Sequence, residues 1–158
     1  MGLYVRLESI KGAGTSRGHE GWVDASSVSW SLASSTTTMP TPGGGAGKVT
    51  AQAVQLSAPV GPHSPLVLLA CVRGTHLKSV TIEHTVASPR EEHVDQRWEL
   101  SAVTVVDYAT GATPESIGQD SFGLLFGKLV YTTIAQKRDG SAAAPISVTW
   151  EPTSGRTA

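Results

Sequence analysis

Ser64-Pro65-Leu66-Val67-Leu68-Leu69-Ala70-Cys71-Val72-Arg73-Gly74 is the one stretch of this chain that reads as a helix, and it stands among strands. A serine suits the N-cap. Proline at the first helical position has no needed N–H to lose, and a glycine beyond the last turn stops the helix. Leu66 to Val72 is apolar around the whole circumference, which predicts a helix covered on most sides. Outward from it, alternation takes over. Leu3–Ile10, Trp22–Ser34 and Lys48–Ala58 read as strands on the N-terminal side; Leu77–Val86, Gln96–Tyr108, Phe122–Lys137 and Ile146–Glu151 follow. Gln136–Gly140 supplies a turn with Asp-Gly in it. Strands in this number with one short buried helix predict a mainly β fold. The expectation is a β-barrel or tight two-sheet β-sandwich with the helix packed at its side, in a single domain over residues 1–158 that ends in a short polar tail, 152–158.

Two of these strands carry unusual faces. Trp22–Ser34 splits into Asp24, Ser26, Val28, Trp30 and Leu32 against Val23, Ala25, Ser27, Ser29 and Ser31. The first set ends in large apolar groups and is expected to face the core. The second ends in a row of small hydroxyls where a solvent face ordinarily carries Lys and Glu, which points either to a special surface or to a Ser/Thr-rich exterior strand. Phe122–Lys137 is apolar on both faces, with Phe122, Leu124, Phe126, Val130 and Ile134 against Leu125, Leu129 and Tyr131. That predicts core on one side and a partner on the other. Between strands, the segment 35–47 runs through Met39-Pro-Thr-Pro-Gly-Gly-Gly-Ala-Gly-Lys48-Val49. Glycine permits close backbone approach and proline stiffens the chain, so this reads as a long arm that lies on something else.

Composition narrows the function. Charged residues make up 16% of the 158, against the usual quarter of a soluble domain, and Ser, Thr, Ala and Gly fill the difference. Such a surface suits close packing between subunits or an unreactive wall. The net charge of −1 without a basic block argues against phosphate-driven nucleic-acid binding. The single cysteine, Cys71, excludes an intrachain disulfide framework, and its mid-helix place among apolar neighbours suits an inert core thiol. Arg6 and Glu8 interrupt the N-terminal strand with no apolar region after them, so no signal peptide is read, and no window is apolar for long enough to span a membrane. The chain is expected to be made soluble in the cytoplasm and, if exported, to leave by another route.

Chemical motifs fail one by one. The glycine loop lacks a phosphate-loop pattern: Pro42 stands where glycine is needed, Val49 where Ser or Thr is needed, and a strand rather than a helix follows. Arg90-Glu-Glu-His-Val-Asp95 gathers carboxylates beside an imidazole, but after Pro89 it reads as a solvated turn rather than an acid–base or metal site. His19, His63, His76 and His84 have no ligand spacing, and no Gly-x-Ser-x-Gly elbow occurs. Trp22, Trp30, Trp98 and Trp150 read as core or interface anchors. Neither a catalytic residue, a metal nor a cofactor is expected.

The pieces taken together resemble a known family. Ile10-Lys-Gly12, His19-Glu-Gly-Trp-Val-Asp24, Val28-Ser-Trp-Ser31, Gly43-Gly-Gly-Ala-Gly-Lys-Val49, Ser64-Pro-Leu, Leu69-Ala-Cys71, Gly74-Thr-His76, Gln136-Lys-Arg-Asp-Gly140 and Trp150 occur in order over residues 3–151. This is similar to Hcp, the haemolysin-coregulated proteins of bacterial type VI secretion. The resemblance implies a β-barrel with one helix that forms homohexameric rings. The rings stack into the inner tube of a contractile injector, with a valine-glycine repeat spike at the tip, a contractile sheath outside and small effectors in the lumen. An effector-carrying ring with tube building secondary, or a related phage-like tail tube protein, is the alternative. Neither nucleic acid nor membrane insertion is implied. Carried onto this chain, Thr36, Thr38, Met39, Pro40, Pro42, Gly43, Gly44, Gly45, Gly47 and Lys48 match the extended loop that contacts neighbouring subunits and the adjoining ring. Ser29 matches a lumen-facing position, and by alternation Ser27 and Ser31 accompany it. Ala87–Trp98 and the tail depart from the family pattern, which leaves strand register open there.

Overall fold

The computed structural model describes residues 1–34, 49–89, 91–152 and 156–157. In chain order the strands are β1 (Gly2–Leu7), β2 (Val23–Asp24), β3 (Ser27–Ser29), β4 (Leu32–Ser34), β5 (Val49–Ala51) and β6 (Val54–Pro59). After the helix α1 (Ser64–Arg73) come β7 (His76–Val86), β8 (His93–Thr113), β9 (Ser116–Leu125), β10 (Lys128–Thr133), β11 (Ile146–Glu151) and β12 (Arg156–Thr157).

The ladders run antiparallel in the order β12-β11-β10-β8-β7-β1-β2, and a branch leaves β8 through β9 and β6 to β3. Among the described residues the ladders do not close into a barrel, and the result is a two-sheet sandwich. The hinge is β8. Its first half pairs with β7 and β10, its second half with β9. The change of partner falls at Ala102, which sits at φ 52, and the Gly127 N–H donates to the carbonyls of Ser101 and Ala102 there. A non-glycine residue in the left-handed region marks a bend that its surroundings impose.

Register places the core without ambiguity. On the first sheet, Val23, Val5, Ile82, Trp98 and Tyr131 form one inward row, and Leu7, Val80, Leu100, Leu129 and Trp150 the next. On the second sheet the inward rows are Val28, Leu56, Phe122 and Tyr108, then Val54, Leu124 and Val105. Phe122, Leu124 and Ile82 have no exposed surface. Burying side chains of this size contributes about 1.5–3 kcal/mol each.

Several boundaries differ from the sequence reading. Trp22–Ser34 is three short strands rather than one. At Ala25–Ser26 the chain leaves β1 for β6: the Ala25 N–H donates to the Leu3 carbonyl and the Ser26 N–H to the Ser57 carbonyl. The corner shifts the alternation, so Val23 is buried, Val28 and Trp30 are half-buried, and Asp24, Ser26 and Leu32 are exposed rather than facing the core. Lys48–Ala58 likewise divides, β5 pairing with β4 and β6 with β3 and β9. Phe122–Lys137 is two strands with a turn at Phe126–Gly127, and Leu125 is exposed. Gln96–Tyr108 extends at both ends into a strand of 21 residues.

The helix forms at the expected place with two corrections. His63, not Ser64, is the N-cap residue, and Ser64 opens the helix with Pro65 in the first turn; Gly74 closes it at φ 62, where a Cβ is disfavoured. Only Ser64, Val67 and Ala70 are buried, while Leu66, Leu68, Leu69 and Val72 are exposed. Uniform apolarity was read as cover on most sides, yet the described residues cover one side alone. The tail also gains structure, since β12 pairs with Trp150 and Glu151.

Candidate functional site

Outward rows of the second sheet form a continuous face of small neutral groups. Ser29, Gln55, Gly123 and Asp107 lie in one row; Ser27, Ser57, Ser121 and Ala109 lie in the next. The Ser27 and Ser57 hydroxyls are 2.6 Å apart, and Gln55 Nε2 donates to Asp107 Oδ2 at 3.0 Å. Gly123 lies beneath that pair: a Cβ there would meet the Asp107 carboxylate and the Gln55 amide, so the absent side chain lets both lie flat on the sheet. Ser27 and Ser29 are exposed on this face, and Ser31 is exposed just beyond β3, where its carbonyl accepts from the Gln52 N–H. Asp107 is the one charged residue in those two rows. Sequence reasoning found the β3 serines but missed Gln55, Ser57 and Ser121, which join them only through strand pairing.

The outer face of the first sheet is chemically opposite. One row runs Asp24, Tyr4, Glu83, Arg97 and Thr132, the next Arg6, Thr81, Glu99 and Val130. The loop between β1 and β2 lies over it. His19 stacks on Tyr4 with ring centroids 4.0 Å apart and its Nε2 is 2.7 Å from Glu83 Oε2, while Arg97 Nε donates to Glu83 Oε1 at 2.7 Å. The His19 ring thus fastens the loop to β7.

Glu91, Glu92 and His93 border one open crevice with Ser88 and Gly140, but Glu92, His93 and Asp95 are each bonded to a different part of the fold. Glu92 accepts from the Tyr4 and Thr85 hydroxyls and pairs with the Met1 ammonium, whose bond, with those from Thr85 and Tyr4, holds this carboxyl below the usual range. His93 Nε2 lies against the Ile134 carbonyl and Asp95 against His84 Nδ1. Among the described residues, His, Cys, Asp and Glu form no group able to hold a metal. Aromatic side chains gather at one end of the sandwich: Trp98 stacks on Tyr131, and Trp30 meets Phe126 and Trp150.

The remaining predicted positions, Thr36, Thr38, Met39, Pro40, Pro42, Gly43, Gly44, Gly45, Gly47 and Lys48, lie outside the described residues. What precedes and follows them is the two-stranded ribbon of β4 and β5, in which Ser34 pairs with Val49.

A family profile described as type VI secretion system effector, Hcp, matches residues 4–133. The chain belongs to the Hcp family. Hcp chains are type VI secretion tube and effector proteins, so the neutral sheet face and the ribbon are features of a secretion component. Solved structures share the fold at low identity. One titled as a type six secretion system protein aligns with TM-score 0.91 at 19% identity, covering 99% of each chain. Hcp1 from Salmonella typhimurium aligns at 0.80 and 10%, covering 100% of each. A type VI secretion system effector from Yersinia pestis aligns at 0.77 and 15%, covering 94% of this chain and 98% of that one. No curated protein matches. Among the described residues no helix is long and apolar enough to cross a membrane.

Proposed function

We propose that this Hcp chain is a structural subunit that assembles into homohexameric rings, that the rings stack into the inner tube of a type VI injector, and that the neutral face of the second sheet lines the lumen. The single observation that carries the reading is that face. Ser27, Ser29, Ser57, Ser121 and Gln55 give a hydrated wall with little charge, along which a passenger slides without strong contacts. The exposed Leu66, Leu69 and Val72 of α1 and Ile146 and Val148 of β11 supply apolar surface for protein partners. Thr36 to Lys48, carried on the β4–β5 ribbon, reaches the neighbouring subunit or ring. The tube meets a valine-glycine repeat spike at its tip and a contractile sheath around it, and holds small effectors within. The chain is made in the cytoplasm and leaves through the apparatus. It catalyses no reaction, a reading supported by Glu92, His93 and Asp95 each being engaged by a different structural partner.

Size-exclusion chromatography with light scattering, followed by negative-stain microscopy, tests the assembly. Rings are expected, and a stable monomer at high concentration overturns the reading. Ser29→Arg is expected to leave rings intact and abolish effector co-purification. Retained effector removes Ser29 from the lumen.

A further inference from the structure

The base of the β8–β9 hairpin and the first turn of α1 meet at one buried carboxylate. Asp120 is 1% exposed. Its Oδ2 accepts from the Ser64 hydroxyl, and its Oδ1 accepts from the Tyr108 hydroxyl at 3.0 Å. Ser64 Oγ in turn accepts from the Gly61 N–H at 3.0 Å, so a single hydroxyl ties the turn before α1 to β9. The Val60 N–H donates to the Gly118 carbonyl just beyond, which joins the same turn to the hairpin.

Beside this knot lies a ring nitrogen that has no hydrogen-bond partner among the described residues. His63 is 3% exposed, its Nε2 makes no hydrogen bond, and that atom is 3.6 Å from the Asp120 Oδ2 that Ser64 occupies. A buried, unpaired polar atom costs about 1–3 kcal/mol, so a small movement that pairs it is favoured once the chemistry allows. The groups around the ring are few. Asp120 from β9 and Tyr108 from β8 lie on the inner side. The Phe122 ring is 6.4 Å away, α1 has no acidic residue in its first turn, and Asp24 of β2 lines the same outer crevice with Gly14, Pro59, Val60 and Gly61.

We propose that His63, Asp120 and Ser64 form a proton-operated joint between α1 and the β8–β9 hairpin. One proton from solvent makes the imidazole a donor at both nitrogens. Its Nε2–H then closes on Asp120 Oδ2 and displaces the Ser64 hydroxyl, which keeps its own proton and turns away. The first turn of α1 loses its tie to β9, and the helix that presents Leu66, Leu69 and Val72 is loosened. Burial holds the His63 ring below the usual histidine range, with the Asp120 charge opposing, so the exchange belongs to mild acid rather than neutral pH. The joint is internal to one chain and operates whether or not rings form.

Hydrogen exchange at about pH 7.5 and about pH 5, corrected for intrinsic rates, reads the joint directly. In the unmodified protein, protection over residues 64–67 and 108–120 is expected to fall about tenfold at the lower pH. His63→Gln should abolish that difference, while His19→Gln, on the other sheet, should retain it. Unchanged protection, or a difference that survives His63→Gln, overturns the proposal. Should His63→Gln fail to fold, an NMR titration of the unmodified protein decides. The Ser64 and Asp120 signals must move with the His63 ring, and a ring that titrates without them refutes the exchange.

Discussion

The two outer faces of the sandwich share one covalent strand and differ in almost everything else. On the first sheet, Arg6, Glu83, Arg97 and Glu99 project outward, and the loop carrying His19 lies over part of them. On the second, Ser27, Ser29, Ser57 and Ser121 project outward with Asp107 as the lone charge. A charged face meets water or a charged partner; a face of hydroxyls and glycine stays wettable while binding nothing tightly. β8 contributes Arg97 and Glu99 to one and Asp107 and Ala109 to the other, so the contrast arises within a single element.

Breaking the second sheet from its inner side is expected to have the largest effect. Phe122→Ala should cost about 3–5 kcal/mol in urea unfolding, whereas Ser121→Ala, one residue away on the outer row, should stay within about 0.5 kcal/mol. Similar losses at the two sites would mean that the outer face is not free. Next comes the charged face. Glu83→Ala leaves His19 and Arg97 beside an emptied site, and because Arg97 is partly exposed the expected cost is about 2 kcal/mol rather than that of a fully buried pair. Thermal unfolding checks it, and a neutral result would show that the loop is held by Tyr4 and Trp22 alone.

Acid sharpens the comparison at a smaller scale, because the buried titratable knot belongs to the second sheet. Burial holds the His63 ring below its ordinary value, with the Asp120 charge opposing; a group depressed on folding adds stability above its unfolded pKa and loses it as pH falls toward its folded one. Burial raises the Asp120 carboxyl, but the Ser64, Thr110 and Tyr108 hydroxyls and nearby His63 outweigh it and hold the carboxyl below the usual range. Both shifts therefore carry the same sign. Stability should decline first as pH falls below about 6.5, by at most about 1.4 kcal/mol per pH unit, and again below the carboxylate range. His63→Gln should flatten the first decline in chemical denaturation series. The smallest effect on folding belongs to Gly43, Gly44 and Gly45 exchanged for Val, which should leave unfolding within about 0.5 kcal/mol but impair ring assembly or stacking seen by microscopy. Unchanged assembly would remove the segment from the interface.

Much of the architecture is legible in the sequence because strand periodicity survives in the buried rows. Val54, Leu56, Val80, Ile82, Leu100 and Phe122 alternate as read. What escapes is local. Trp22–Ser34 has no glycine or proline at Ala25–Ser26 to announce a corner; the turn is imposed when the chain exchanges β1 for β6. The hairpin from Ala109 to Ile117 is missed because its residues are exposed and Gly111 and Pro114 interrupt them, so no alternating hydrophobic row marks it. The neutral face was half legible. Ser27 and Ser29 stand out by alternation, but Gln55, Ser57 and Ser121 join them only through register, and the buried approach of His63 to Asp120 joins two elements with no motif to link them.

The bend at Ala102 has a mechanical consequence. Because β8 runs unbroken through both sheets, load applied to one face travels along its covalent backbone into the other instead of crossing a seam of side chains. A tube subunit driven from behind would then transmit thrust as one rigid block, and the two halves of the sandwich could not shear apart without first tearing the ladders on either side of that strand.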